Sequence, residues 1–165
     1  MKQPPSDLSI VQADLASPEH ERDIMAMTLM YACDEMGNSA PLPADVLKRL
    51  VPGLRAHPTT IGFLAYLGGK AVGIANCFLG FSTFAAKPLI NIHDLAVVPE
   101  FRGQGIGRAL LDAVAEHARQ RGCVKLTLEV QESNRRARQA YESAGFAQMI
   151  YGTHTGGSLY YSKPL

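Results

Sequence analysis

The segment Ile92–Leu111 reads IHDLAVVPEFRGQGIGRALL and combines three patterns in a fixed order. An apolar run rich in branched side chains is followed by a basic turn and an amphipathic pattern, so the segment predicts a strand, a tight turn and a helix. Glycine lacks Cβ, so the backbone N–H groups of the turn can approach a ligand closely. The first turn of a helix adds unpaired N–H groups at the positive end of its dipole. The segment therefore predicts an anion site with Arg102 and Arg108 on either side.

Two other phosphate-binding motifs do not fit the spacing of these glycines. The dinucleotide fingerprint requires Gly-x-Gly-x-x-Gly, whereas the glycines here are Gly103, Gly105 and Gly107. The P-loop requires Gly-Lys-Ser/Thr, which the sequence lacks. Neither motif therefore explains the turn.

The order of strand, proline, glycine-rich turn and long helix resembles the GNAT superfamily of acetyl-CoA-dependent N-acetyltransferases. The pyrophosphate loop of that family has the pattern Gln/Arg-x-x-Gly-x-Gly/Ala, which Arg102, Gly105 and Gly107 match. The preceding strand Asp94–Val97 is also similar to the family. The resemblance implies that acetyl-CoA is bound by Leu95, Ala96, Val97, Arg102, Gly103, Gln104, Gly105, Ile106, Gly107, Arg108 and Asn134.

A second match lies at Asn134–Phe146, which resembles the GNAT pattern Asn-x-x-Ala-x-x-x-Tyr-x-x-x-Gly-Phe. In that family the Asn lies beside the pantetheine arm of coenzyme A and the Tyr approaches its sulfur. The resemblance implies these roles for Asn134 and Tyr141, with Tyr141 as general acid. Taken alone, Asn134 is also a good helix N-cap and Tyr141 an ordinary half-buried aromatic. A neighbouring basic cluster is expected to face the 3′-phosphate of coenzyme A or solvent: Arg135, Arg136 and Arg138.

An amine acceptor must lose a proton before it attacks, because an alkyl ammonium has a pKa of about 10.4. Asp94 is the first candidate for the general base or for a direct amine contact, since it stands on the central strand just before the turn. Glu129 and His93 remain alternatives. Neighbouring strand residues face opposite sides, so His93 and Asp94 can share one site only across a β-bulge. A structural carboxylate, a solvated face and a packed histidine are the competing interpretations of Asp94, Glu129 and His93.

The resemblance also implies that the first two helices, their loop and the late hairpin form the acceptor pocket. The corresponding aromatic and acidic residues are Tyr31, Asp34, Glu35, Phe81, Phe84, Tyr151 and Tyr160. The acidic residues would suit a cationic amine, and the aromatic residues could hold an ammonium or an apolar body. Surface charges at a helix end are the alternative interpretation of Asp34 and Glu35. The run DLAVVPEFRGQGIG is also similar to the diamine- and polyamine-acetylating members of the family.

Composition and charge narrow the class of protein and its partners. The chain has 165 residues and predicts a single domain over 1–165. A net charge of +1 gives no electrostatic case for a nucleic-acid or anionic-membrane partner. The three cysteines are far apart and form no Cys-x-x-Cys pair, which argues against disulfides and a zinc site.

No apolar run could span a bilayer and the N-terminus lacks a signal-peptide core, so we expect a cytoplasmic protein. Homodimers through edge strands are common in the family that the chain resembles, although the sequence does not fix the oligomeric state.

Hydrophobic periodicity predicts the order β-α-α-β-β-β-α-β-α-β-β. This order agrees with the GNAT fold, an α/β fold with one mixed sheet of about seven strands and about four helices. The predicted strands cover residues 8–13, 59–67, 70–81, 90–98, 124–130, 146–151 and 158–163. The predicted helices begin near residues 18, 43, 106 and 134 and end near residues 36, 56, 122 and 145. The second helix could bend or end near Pro52, and Gly68-Gly69 predicts a tight hairpin turn.

Three functions remain open from the sequence. The first is transfer of the acetyl group of acetyl-CoA to a small primary amine, such as a polyamine or an amino acid. The second is acetylation of a protein N-terminus or lysine, which an open groove would favour. The third is a non-catalytic module that binds acetyl-CoA, which loss of Tyr141 or of the glycine turn would favour; both are present.

Overall fold

A five-stranded mixed sheet forms the centre of the computed structural model, which describes residues 4–148. Its strands are β1 (Leu8–Gln12), β2 (Thr60–Leu67), β3 (Lys70–Ser82), β4 (Lys87–Val97) and β5 (Leu126–Leu128). They lie side by side in chain order. Strands β1 to β4 are antiparallel to their neighbours, and β5 is parallel to β4. The carboxyl ends of β4 and β5 therefore meet at the same edge of the sheet.

Four α-helices accompany the sheet within the described residues. They are α1 (Pro18–Cys33), α2 (Ala44–Ala56), α3 (Ile106–Gln120) and α4 (Arg135–Ser143), and a short 3₁₀ turn (Pro99–Phe101) follows β4. Ser17 caps α1 by accepting a hydrogen bond from the His20 N–H, and proline opens the helix. Of these helices, none has the length and apolar character needed to cross a membrane.

Two apolar clusters lie on opposite faces of the sheet and fix its helices. On one face, α3 packs through Ile106, Leu110 and Val114. On the other face, α1 and α2 pack through Ile24 and Val51 against the sheet. Full burial of such a side chain contributes about 1.5–3 kcal/mol. These layers cover both faces of the sheet, and backbone pairing holds β4 between β3 and β5.

The structure confirms the fold class and the main connections that the sequence predicts. The chain forms one mixed α/β sheet with four helices in the described residues, and β4 and β5 are parallel. The hairpin at Gly68-Gly69 is confirmed, because both glycines have positive φ angles of 54° and 76°. Asn134 is the N-cap of α4, as its sequence position predicts.

Several element boundaries differ from the prediction. Helix α1 ends at Cys33 rather than near residue 36, because the Asp34 carboxylate accepts a 2.9 Å hydrogen bond from the Met36 N–H and fixes a turn there. Helix α2 ends at Ala56, as predicted, and does not end at Pro52. The connection between the predicted strands 70–81 and 90–98 shrinks to residues 83–86, because β3 and β4 pair as far as Ser82 and Lys87.

The strand count also differs at the carboxyl-terminal end of the chain. Strand β5 covers three residues rather than the predicted 124–130, because its pairing with β4 extends only from Leu126 to Leu128. Residues 4–148 contain five strands, against about seven predicted from hydrophobic periodicity. Residues 146–148 form no helix or strand. The rest of the predicted strand 146–151 and all of strand 158–163 lie outside the described residues.

Candidate active site

A cleft opens where β4 and β5 part. Residues Ile90–Ile92 of β4 pair with Leu126–Leu128 of β5. Strand β4 then continues to Val97 without pairing with β5. Beyond Ile92, the backbone of β4 therefore has an edge that β5 does not cover. The walls of the cleft come from α1, the turn after it, β4, α3, the segment after β5 and α4. The divergence of two parallel strands thus creates a site at their carboxyl ends.

The glycine-rich turn forms one end of this cleft. Gly105 is the N-cap of α3 and has a φ of 83°, a left-handed conformation that favours glycine. The first N–H groups of α3 have no partner within the helix and carry the positive end of its dipole. Gly107 also lines the cleft, and a Cβ there would come no closer than 3.8 Å to any neighbouring atom, the Val97 Cγ2. The turn therefore combines unpaired donors with the room that a diphosphate needs.

The side chains around this turn mostly bind other parts of the chain. Arg102 donates a 2.8 Å hydrogen bond from Nε to the Val97 carbonyl and forms an ion pair with Asp34. Arg108 donates to both carboxylate oxygens of Asp112 at 2.8 and 3.0 Å and to the Ser143 carbonyl at 2.8 Å. These contacts tie the turn to its surroundings. Backbone N–H groups, rather than free guanidinium groups, are its main anion-binding feature.

Arg136 and Gln104 complete the surroundings of the turn. The Arg136 guanidinium lies over Gly103, where its Nη2 is 3.8 Å from the position that a Cβ would take. Its charge also helps to lower the pKa of the Asp34 carboxyl. Gln104 donates a 3.3 Å hydrogen bond to the Glu100 carbonyl. Arg136 is therefore the member of the basic cluster that lies nearest the glycine turn among the described contacts.

Helix α4 places a capping amide and a phenol on the same wall. The Asn134 Oδ1 accepts a 3.1 Å hydrogen bond from the Ala137 N–H, so this side chain caps the helix and lines the cleft. Tyr141 lies further along α4 and packs against the apolar cluster under α3. The centroid of its ring is 6.0 Å from that of the Phe146 ring. Burial raises the pKa of Tyr141 to about 12, and nearby Tyr31 adds to the effect. The phenol therefore stays protonated at neutral pH.

Strand β4 contains a β-bulge next to the cleft. Cys77 of β3 pairs with Ile92, whereas the adjacent Asn76 pairs with Asp94, so His93 is an extra residue in β4. The buried Asn76 amide donates a 3.1 Å hydrogen bond to the Asp94 Oδ2. Asp94 thus lies on the face of the sheet that α1 and α2 cover. The His93 ring contacts the edge of the Phe78 ring on this same face, at 5.6 Å between centroids.

The turn after α1 (residues 34–39) closes the other end of the cleft. The hydrogen bond and charge of Arg102 lower the pKa of Asp34, which is therefore ionised and already paired. Gln131, beyond β5, donates a 3.3 Å hydrogen bond to the Met36 carbonyl. The turn is tight, because a Cβ on Gly37 would lie 2.0 Å from the Tyr31 carbonyl oxygen. Two polar contacts thus fasten this turn to segments on both sides of the cleft.

Tyr31 links the two ends of the cleft electrostatically. Its pKa is raised by burial first, and then by the charges of Asp94 and Asp34. Tyr31 in turn contributes to the raised pKa of Tyr141. The side chains of α1, β4 and α4 therefore meet around one space, although they are far apart in the sequence.

Known proteins share this architecture. The profile of the acetyltransferase (GNAT) family matches residues 25–146. The chain belongs to the GNAT family. It is 40% identical over 96 residues to an uncharacterized N-acetyltransferase of Archaeoglobus fulgidus, a match that covers 58% of this chain and 63% of that protein. It is 27% identical over 134 residues to the thialysine N-epsilon-acetyltransferase of Caenorhabditis elegans, covering 81% of each chain. The crystal structure of a probable acetyltransferase superposes with a TM-score of 0.76 at 24% identity, over 94% of this chain and 99% of the other, which shows the shared fold.

The structure of this GNAT chain brings most of the predicted site residues to the cleft. Its lining includes Tyr31, Asp34, Glu35, His93, Leu95, Ala96, Val97, Arg102, Gly103, Gly105, Ile106, Gly107, Arg108, Glu129, Asn134 and Tyr141. Gln104 stands in the turn beside them, and Asp94 lies just behind, bonded to Asn76. Glu35 and Glu129 are both exposed and lie at the mouth of the cleft.

The structure does not bring Phe84, a predicted acceptor-pocket residue, into the lining of the cleft. Phe84 is fully exposed in the turn between β3 and β4, and Phe81 near it is 63% exposed. Strand β4 runs from this turn toward the cleft and rises about 3.3 Å per residue, so the length of the strand separates both aromatic residues from Asp94. The predicted pocket residues Tyr151 and Tyr160 lie outside the described residues.

Two residues next to the candidate site, Asn76 and Gln131, were not predicted from the sequence. Asn76 stands in the apolar run Ile74–Phe78, and a polar side chain inside such a run needs a buried partner. That rule could have pointed to a carboxylate on the next strand. Gln131 gave no comparable signal, because its partner is a backbone carbonyl 95 residues away in the sequence.

Proposed function

We propose that this chain is a cytoplasmic enzyme that transfers the acetyl group of acetyl-CoA to a primary amine of a small molecule. The observation that carries the proposal is the cleft itself. Its donor end (residues 95–108, with Asn134 and Tyr141) presents backbone N–H groups suited to a diphosphate. Its acceptor end (Tyr31, residues 34–39, His93 and Asp94) presents carboxyl, phenol and imidazole groups suited to an amine.

The uncovered edge of β4 suits the elongated arm of coenzyme A. Backbone groups of residues 93–97 can bond an extended chain that lies between β4 and β5, much as a strand would. The diphosphate would then meet the N–H groups at the start of α3, beneath Arg136. This orientation brings the thioester toward the middle of the cleft, between Leu95 and Tyr141.

Acetyl transfer requires charge stabilisation, a proton for the sulfur and attraction of the amine, and different residues of the cleft would supply each. The acetyl carbonyl gains negative charge as the amine attacks, and a backbone N–H of Leu95 or Ala96 would stabilise that charge. The departing sulfur requires a proton, and Tyr141 carries one because burial holds its pKa at about 12. Asp94 would attract the ammonium form of the acceptor, since Asn76 fixes the carboxylate in place. No covalent enzyme intermediate is needed.

The turn after α1 supports a small acceptor rather than a protein. Its contacts with Arg102 and Gln131 join it to segments on both sides of the cleft and narrow the approach. A protein terminus or lysine side chain would need an open groove at this point. The Caenorhabditis elegans relative is named for acetylation of thialysine, which bears a primary amine on a flexible side chain. An amine of this kind would fit a narrow acceptor end.

The test combines cofactor binding with a substrate panel. We expect acetyl-CoA to raise the unfolding temperature, because a ligand that binds the folded state at one hundred times its Kd adds about 2.7 kcal/mol to the free energy of unfolding. Release of free thiol would then be measured with thialysine, lysine, diamines, polyamines, aminosugars and peptides with free N-termini. Turnover of small amines supports the proposal. Turnover of peptides alone would favour the protein acetyltransferase, and binding without any turnover would favour a non-catalytic module.

A further inference from the structure

We propose that His93 accepts the proton that the acceptor nitrogen loses, so that the β-bulge in β4 supplies the enzyme with its base. This proposal rests on the acetyltransfer proposed above. Sequence alternation alone would place His93 and Asp94 on opposite faces of the sheet. The bulge removes that separation, because Asn76 pairs with Asp94 and the next residue, Cys77, pairs with Ile92.

The surroundings of the two side chains differ in a way that separates their roles. Asp94 is half-buried and bonded to the Asn76 amide at 3.1 Å, behind the lining of the cleft. His93 is exposed and belongs to the lining of the cleft. A base must come within hydrogen-bond reach of the nitrogen that it deprotonates and must then return the proton to water. His93 meets both requirements better than Asp94.

The imidazole has one aromatic neighbour among the described contacts. Its ring contacts the edge of the Phe78 ring, with 5.6 Å between the two centroids. The other titratable groups that share this part of the cleft are Tyr31, Asp34, Glu35, Asp94 and Glu129. Among them, only His93 stands on the bulge itself.

The proton balance of the reaction is complete with this assignment. The acceptor ammonium gives one proton to a His93 ring nitrogen, which passes it to water at the mouth of the cleft. The neutral nitrogen attacks the acetyl carbon and forms the C–N bond, and His93 takes a second proton from it. The C–S bond breaks, and the sulfur takes the Tyr141 proton. Water returns a proton to the phenolate and removes one from the imidazolium, so the net products are the amide, the thiol and one proton.

The experiment uses His93→Ala and His93→Gln in the full chain, with His57→Ala as the matched control. His57 contacts the Phe78 ring as His93 does and is not part of the cleft lining. We expect both His93 variants to lose about 10²-fold in kcat with an unchanged Kd for acetyl-CoA, the smaller end of a general-base effect. The increase of the rate with rising pH should change in both His93 variants, while His57→Ala keeps the wild-type pH–rate profile. Added imidazole should restore turnover of His93→Ala in a saturable manner, and should not restore His93→Gln.

Each other result overturns the proposal. Full kcat and an unchanged profile in the His93 variants would assign proton removal to Asp94 or to water. A loss of kcat that imidazole does not restore would make His93 a structural residue. If the wild-type chain binds acetyl-CoA but turns over no amine in the panel, the proposed function fails and this assignment fails with it. Thermal unfolding of each variant confirms that the chain is folded during the assay.

Discussion

The donor end and the acceptor end of the cleft are built from different kinds of contact. The donor end comes largely from one continuous segment, in which β4 runs into the glycine turn and α3, and its binding groups are backbone N–H groups. The acceptor end is assembled from α1, the turn after it, β3 and the bulge in β4. Its chemistry depends on side chains that approach one another from distant parts of the chain.

This difference predicts how each end responds to mutation. Backbone donors stay in place when a side chain changes, so the donor end should fail only when a substitution fills or charges the space in front of the N–H groups. The acceptor end should lose function when any one of several side chains is replaced. Substitutions at the two ends should therefore separate cleanly into effects on cofactor affinity and effects on turnover.

Gly107→Glu should have the largest effect, because it places a carboxylate in front of the N–H groups of α3. The site has room, since the nearest atom to the position that a Cβ would take lies 3.8 Å away, so the chain should still fold. Repulsion between like charges costs several kcal/mol, which corresponds to about a 10³-fold rise in the Kd for acetyl-CoA. Calorimetry measures this Kd. Gly107→Gln is the control of equal size, and equal affinities of the two variants would show that charge at this turn does not matter.

Tyr141→Phe should lower kcat by about 10²-fold, as expected for loss of a general acid, with little change in the Kd for acetyl-CoA. Tyr66→Phe is the matched control, since that phenol donates a hydrogen bond to Asp23 outside the cleft. Because burial raises the pKa of Tyr141 to about 12, the wild-type rate should not fall as pH passes the ordinary tyrosine pKa of about 10. Steady-state rates across alkaline pH measure both the loss of kcat in Tyr141→Phe and the pH dependence of the wild type. Normal turnover of Tyr141→Phe would remove Tyr141 from the mechanism.

Asp94→Asn tests whether charge at the acceptor end attracts the ammonium. The carboxylate would attract the ammonium through its charge, so loss of that charge should lower kcat/KM for a cationic amine by about 10–100-fold. The Kd for acetyl-CoA should be unchanged, since Asp94 lies on the acceptor end of β4. Rates with cationic and neutral acceptors provide the comparison. An equal loss for both would indicate a packing role for Asp94 instead.

Gly37→Ala should disturb the acceptor end through the backbone. Its Cβ would lie 2.0 Å from the Tyr31 carbonyl oxygen, so the turn must move. Overpacking of this kind costs about 1–3 kcal/mol in the free energy of unfolding, and the KM for the amine should rise several-fold. Gly53→Ala is the control, because nothing lies within 4 Å of its Cβ position in α2. Urea unfolding and amine kinetics distinguish the two; equal stability of the variants would contradict the close contact.

The smallest effect concerns the pH dependence of stability at α3. Burial, and then the charge of Arg121, lower the pKa of His117, whose Nε2 has no hydrogen-bond partner within the described residues. The unfolded chain therefore binds a proton more readily than the folded chain. Stability should be complete above the unfolded histidine pKa of about 6.5 and should decline as pH falls below it. Urea unfolding of wild type and His117→Leu from about pH 7.5 to about pH 5 spans this window, and the decline assigned to His117 should vanish in the variant.

The donor end could be predicted from sequence because its determinants are local. Two short motifs contain the glycines of the turn, Asn134 and Tyr141. Helix α3 begins at the residue that the glycine turn predicts. The acceptor end could not be predicted in the same way. The bond from Asn76 to Asp94 depends on a bulge that alternation does not reveal, and the ion pair between Asp34 and Arg102 joins residues 68 apart in the sequence. Hydrophobic periodicity locates strands, but it does not fix which residues oppose one another across an irregular pair.

The turn at residues 34–39 has a consequence for protein engineering. It reaches the two walls of the cleft through one ion pair to Arg102 and one hydrogen bond to Gln131, while its own shape is set by Asp34 and Gly37. A combinatorial library can therefore keep those positions, together with Ser39 and its left-handed φ of 53°, and randomise Glu35, Met36 and Asn38. We expect such a library to yield enzymes with new amine preferences and unaltered use of acetyl-CoA, since none of the randomised side chains belongs to the glycine turn.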